Sequence, residues 1–138
     1  MATYTATEAQ AGIQPKGLRV GLVAVTSEYS LNTSGSVGTT ILMIKVPKGA
    51  TPVTGWVACT NAGQLTVQVG DDIDPDRYYV ETTLSSGMGN VALFSNTTPT
   101  SRYTYSTDDT IDVTISRVSV STLGGAVYLT TIFSMDIN

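Results

Sequence analysis

The chain has no histidine and a single cysteine, Cys59, among its 138 residues. Without histidine, neither a Ser/His/Asp nor a Cys/His catalytic arrangement can be assembled. The usual zinc sites draw several ligands from Cys and His, so Cys59 cannot make one by itself. An intrachain disulfide would need a second thiol, and the alternating pattern around Cys59 places it as a buried structural thiol. Charge is scarce as well: Asp, Glu, Lys and Arg make up 13% of the residues, about half the usual share of roughly 25%. The basic residues (Lys16, Arg19, Lys45, Lys48, Arg77, Arg102 and Arg117) are scattered, and the net charge is −4. Wrapping nucleic acid requires a basic stripe and binding an anionic membrane surface a polybasic patch, so neither partner is expected. No apolar run reaches membrane length, since ILMIKV is broken by Lys45. Neither G-x-x-x-x-G-K nor G-x-G-x-x-G occurs. Paired carboxylates can cleave glycosidic bonds, but here the acids cluster in turns at 71–76 and 108–109 with no aromatic-rich cleft. The expectation is a protein that is not an enzyme and holds no cofactor.

What fills the polar positions instead is hydroxyl. The chain carries 23 Thr and 13 Ser beside 15 Val, and β-branched Thr and Val favour pleated sheet. A hydroxyl surface with few charges suits wide contact with other proteins. At 14.5 kDa one domain is expected, large enough to bury roughly two thirds of its unfolded surface. The opening MATYTATEAQAG lacks the basic start and apolar middle of a secretory signal, so synthesis in a cytoplasm is expected.

The stretch LTVQVGDDIDPDRYYVETTL, residues 65–84, organises the chain. Leu65, Val67 and Val69 alternate with polar residues, the period of a half-buried strand, and Tyr78, Val80 and Leu84 repeat it. Between them GDDIDPD concentrates turn formers, and Pro75 cannot sit inside a central strand. Strand, acidic turn, strand is the expected unit.

The rest reads as further strands. Residues 1–17 are polar and aperiodic and are expected as an N-terminal arm, with Thr5 and Glu8 at capping-box spacing. From 18 to 31, Leu18, Val20, Leu22 and Ala24 are expected to face the core, with Val23 and Val25 outside. Residues 41–46 are apolar on both faces, Leu42, Ile44 and Val46 against Ile41 and Met43, which predicts cover on both sides or a subunit contact. Val53, Gly55, Val57 and Cys59 alternate with Thr54, Trp56, Ala58 and Thr60, and the Asn61-Ala62-Gly63 turn predicts a hairpin with the next strand. Tyr103 and Tyr105 share a face. Ile111, Val113 and Ile115 alternate but Val118 and Val120 continue in the opposite phase, predicting a β-bulge near Ser116 and Arg117. Val127 to Ile137 is a last long strand, with Tyr128 and Ile132 on its outer face. About eight strands and no helix give an all-β fold, a two-sheet antiparallel β-sandwich, jelly-roll-like, with the arm at 1–17 and a single domain at 18–138.

This frame offers three candidate binding chemistries. Asp72, Asp74 and Asp76 stand at alternate positions like the acids of a calcium loop, but Arg77 follows where Gly belongs and no Glu closes the pattern. The plainer reading makes Gly70, Asp71, Asp74, Asp76 and Arg77 a structural turn, with Asp71 and Asp74 accepting backbone N–H bonds and Arg77 pairing with an acid. Asn32-Thr33-Ser34 and Asn96-Thr97-Thr98 match glycan acceptors by chance composition. Trp56, Tyr103, Tyr105 and Tyr128 could stack on sugars, although aromatics on strands more often serve core or interface.

VPKGATPVTG, then VQVGDDIDPDRYYVETTL, then the closing strand, resembles small virion-associated proteins of tailed bacteriophages, most specifically at Val69, Gly70, Asp71, Asp76, Arg77 and Tyr78. The resemblance implies a capsid decoration, or head auxiliary, protein located on the virion's capsid surface. It implies the phage major capsid protein as partner and a homotrimer as the oligomer. Ile41, Met43, Trp56, Tyr128 and Ile132 are the expected interface residues. The alternative is a carbohydrate- or host-surface-binding module of a head fibre or tail.

Overall fold

Alternating Thr and Val favour an extended backbone. The fold was obtained as a computed structural model, which describes residues 3–6, 20–31, 37–60, 64–85, 91–92, 103–118 and 125–136. These form β1 (Thr3–Thr5), β2 (Val20–Ser30), β3 (Thr40–Val46), β4 (Ala50–Thr60), β5 (Gln64–Gly70), β6 (Tyr79–Ser85), β7 (Val91–Ala92), β8 (Asp109–Val118) and β9 (Ala126–Asp136). No helix occurs among the described residues.

The strands make a five-stranded sheet, β1-β3-β8-β5-β6, and a four-stranded sheet, β2-β9-β4-β7. Successive strands fall in opposite sheets except β5 and β6, the jelly-roll-like winding expected of an all-β sandwich. Every pairing is antiparallel but one: β1 runs parallel to β3. The start of the 1–17 segment therefore docks on its own chain, where Ala6 is fully buried and donates its N–H to the Leu42 carbonyl. Glu8, the second capping-box residue, lies outside the described residues.

Apolar side chains of the two inner faces meet in one core, with Ile41, Val67, Val113 and Ile115 from the first sheet against Val57, Leu129 and Phe133 from the second. Each such fully buried side chain is worth about 1.5–3 kcal/mol.

Three expectations are corrected here. In β2 it is Val23, Val25 and Tyr29 that pack on the core, while Leu22 is 70% exposed. The partner strand decides the phase, because Val23 sits opposite Phe133 and Ser27 opposite Leu129, and antiparallel partners share a face. In β3 the register shifts between Leu42 and Ile44. This bulge lets Ile41, Met43, Ile44 and Val46 all be buried within one chain, so an apolar residue on each nominal face signals the bulge rather than a covered outer surface. Finally, β4 and β5 are not a hairpin: β4 pairs with β9 and β7, β5 with β6 and β8. The short 61–63 connection joins strands of different sheets. The bulge expected in β8 falls at Ser116, where the pairing steps from Thr66↔Arg117 to Val67↔Ile115.

Candidate functional site

Two regions gather the residues that sequence reading singled out. The first is the acidic turn between β5 and β6. Gly70 closes β5 so tightly that a Cβ there would overlap the carbonyl of Asp74 and the backbone of Pro75. The chain then folds back on itself, with the Asp71 and Arg77 N–H groups both donating to the Asp74 carbonyl. Asp71 is 2% exposed and its carboxylate is fully engaged. Oδ1 accepts the Ile73 and Asp74 N–H groups at 3.1 and 2.9 Å. Oδ2 accepts Arg77 Nε at 2.6 Å and the Tyr105 hydroxyl at 3.0 Å. Tyr105 thus spends its one proton on Asp71, so the 2.6 Å contact between the Tyr78 and Tyr105 hydroxyls has Tyr78 as donor. The Arg77 guanidinium lies 3.7 Å from the Tyr103 ring centre, and Tyr103 meets Tyr105 edge-on at 5.0 Å.

Burial and these partners set the ionisation states. Burial pushes the Tyr105 hydroxyl far above the ordinary tyrosine range, and the neighbouring Tyr78 and Asp71 push the same way. The Tyr78 hydroxyl is raised by burial too, against the bond to Tyr105. Burial works against the Arg77 charge, but the bond and charge of Asp71 outweigh it and hold the group cationic. Asp76 is held above the ordinary carboxyl range by its hydrogen bond with Asp74.

The network ties the sheets together. Tyr105 donates its N–H to the Ala50 carbonyl and accepts from Gly49 N–H. Lys48 N–H donates to Asp108 Oδ1 at 2.8 Å, and the hydroxyls of Thr51 and Thr104 meet at 2.7 Å. Loop 103–108 therefore joins the start of β4, in one sheet, to the turn after β5, in the other. The arrangement is mechanical: the Asp71 carboxylate, the Arg77 guanidinium and the Tyr78 and Tyr105 hydroxyls are taken up by one another. Among the described residues no three Asp, Glu or Cys side chains converge on a metal position, Asp72, Asp74 and Asp76 included. Asp72 points to solvent, Asp74 supplies its carbonyl to the turn, and Asp71 takes Arg77.

The second region is the outer face of the four-stranded sheet. Cross-strand pairing sets Ala24, Ile132 and Thr54 in one row, Thr26, Thr130 and Trp56 in the next, and Glu28, Tyr128 and Ala58 in a third. The Thr26 and Thr130 hydroxyls bond at 2.9 Å. Tyr128 is paired with Glu28, whose hydrogen bond raises its pKa above the ordinary value. Leu22 stands at the margin, and Trp56 is 36% exposed. Glu28 is the one charged side chain in these rows.

Of the five expected interface residues, Trp56, Tyr128 and Ile132 thus share this face. Ile41 and Met43 do not: both have no exposed surface and belong to the core, for the bulge described above. Two of the four rings considered for sugar stacking are also withdrawn, since Tyr105 is buried and Tyr103 is covered by Arg77. Asn32 and Asn96 lie outside the described residues. The part played by Tyr105 was not legible in the sequence, being 34 residues from Asp71 with no pattern linking them. Leu22 was missed because its strand was read in the opposite phase.

No protein-family model and no curated protein matches the sequence. Solved structures do match in fold. A chain from the capsid of Ralstonia phage GP4 superposes with a TM-score of 0.81 at 15% identity, covering 99% of each chain. This is a fold found in phage capsids. A chain of the cyanophage Pam1 capsid asymmetric unit gives a TM-score of 0.62 at 13% identity, over 92% of this chain and 95% of that one. One from the acid-stable capsid of Helicobacter pylori bacteriophage KHP30 gives 0.55 at 11% identity, over 85% and 94%.

Proposed function

We propose that the chain is a non-enzymatic structural protein of a phage virion that binds the assembled major capsid shell and stabilises it, as a decoration protein on the capsid surface. The observation that carries this reading is the end-to-end likeness of fold to a chain of the Ralstonia phage GP4 capsid, with 99% of both chains covered. The surface supports it: a pleated face bearing Trp56, Tyr128, Ile132 and Leu22 with a single charge can be dried at little cost in ion desolvation. The Asp71 brace beneath the acidic turn supports it too, because a rigid subunit loses less entropy on docking. The proposal includes a homotrimer, whose three copies would present this face around one axis.

Light scattering after size exclusion is expected to give three times the 14.5 kDa of one chain, and the protein is expected to sediment with undecorated shells. Trp56 is the expected anchor, since a tryptophan at the centre of a dried interface commonly contributes about 2 kcal/mol or more. The double variant Trp56→Lys, Ile132→Lys should then bind shells about 30-fold more weakly or worse while melting within a few degrees of the parent. A monomer at high concentration that never sediments with shells overturns the proposal. Undiminished binding by the double variant removes this face from it.

A further inference from the structure

Two carboxylates are buried among the described residues, Asp71 and Asp112, and they are treated in opposite ways. Asp71 accepts five hydrogen bonds, two of them from the Arg77 guanidinium. Asp112, 4% exposed in the middle of β8, has an Oδ1 with no partner and a side-chain bond only to Thr110. Its neighbours explain the burial. The flanking strand residues are Leu42 of β3 and Gly70 of β5, and over Gly70 lies the backbone of Asp74 and Pro75. The acidic turn is thus folded down onto the outer side of the five-stranded sheet beside Asp112.

The charged groups that shift its ionisation are all acids. The charges of Asp109 in its own strand and of Asp71 and Asp72 in the turn act on it through space. From β3 comes Lys45, opposite Thr110, but it lines an open pocket with Asp108 and Asp109 and makes no bond to Asp112. Gln68 and Gly70 bring no charge from β5. Arg77, the other cation near the turn, is taken by Asp71.

We propose that Asp112 is a proton-operated latch for the acidic turn: carrying its proton it lets residues 71–77 lie on the sheet, and ionised it repels Asp71, Asp72 and Asp109 and loosens them. The device goes beyond the shell-binding reading and does not depend on it. Burial above all, then the charges of Asp109, Asp71 and Asp72, push the Asp112 carboxyl up to about 7 against the bond from Thr110. The folded chain therefore holds this proton more tightly than the unfolded chain, where the group titrates at its ordinary 3.8. The stabilisation is complete below about pH 4, is lost as pH rises toward about 7, and changes no further above that.

Amide hydrogen exchange on the full chain at about pH 5 and about pH 8.5, corrected for intrinsic rates, reads the latch directly. In the parent, protection of the Ile73, Asp74, Arg77 and Tyr78 amides is expected to fall about 10-fold or more between the two, while the β9 amides change little. In Asp112→Asn the turn should be equally protected at both. A parent turn indifferent to pH, or an equal fall in the variant, overturns the latch. Where the variant does not fold, the carbon-13 titration of Asp112 in the parent decides. A midpoint near 7 supports the latch and one near 4 overturns it.

Discussion

Replacing Asp71 with alanine is expected to destabilise the protein by about 3–5 kcal/mol, lowering its melting temperature by roughly 10–15 °C. The carboxylate is almost wholly enclosed, with 1% of its side chain exposed and Arg77 beside it at 8%. Removing it leaves a guanidinium in a low-dielectric pocket without its close counter-charge. It also strands the Tyr105 hydroxyl and two backbone N–H groups, each of which would have to find water or stay unbonded. Arg77 retains only its 4.0 Å approach to Asp74 and the Tyr103 ring, which do not replace a 2.6 Å charged bond. Asp71→Asn should lose less, because the amide oxygen can still accept from the turn backbone while the charge is gone. Thermal melts followed by circular dichroism measure both. Because the pair is shielded from solvent, added salt should hardly change the difference. A loss below about 1 kcal/mol for the alanine variant would mean that the ion pair is not made.

Gly70→Ala is expected to cost about 3 kcal/mol or more, a large penalty for one methyl group. The reason is location. The added carbon would coincide with backbone atoms of Asp74 and Pro75, which cannot rotate away as a side-chain tip would. The turn must lift, and with it go the bonds of Asp71 N–H and Arg77 N–H to the Asp74 carbonyl. Gly70→Ala should therefore also weaken the Arg77 contact, so its combination with Asp71→Ala should cost less than the sum of the two. Chemical denaturation of the two single variants and the double variant gives the coupling. Additive losses would show that the turn backbone and the Asp71 network are independent.

How much of this was legible in the sequence depended on whether the chain kept its period. The more polar side of its strand for Trp56 and the outer side of theirs for Tyr128 and Ile132 were legible because β9 alternates without interruption and β4 alternates after its shift at Pro52 and Thr54. The turn was legible through Gly70, Asp71 and Pro75, whose backbone preferences act locally. In β3 the pattern misled: the bulge at Met43 adds half a period, so residues of both parities reach the core. In β2 both parities are apolar, and only the long-range pairing with Phe133 and Leu129 chooses between them. The Tyr105 hydroxyl lay beyond reach for a similar reason, since nothing local says that a loop residue will meet Asp71.

The alternation of strands between sheets has a kinetic consequence. Among the described strands, β5 with β6 is the one pairing that joins neighbours in the sequence; the others must close far longer loops before any bond rewards them. Refolding should accordingly be slow, on the millisecond-to-second scale of non-local β topologies, and nucleate at the acidic turn. Conservative truncations at Val67 and Leu84 would then retard refolding, whereas one at Val23 would chiefly hasten unfolding.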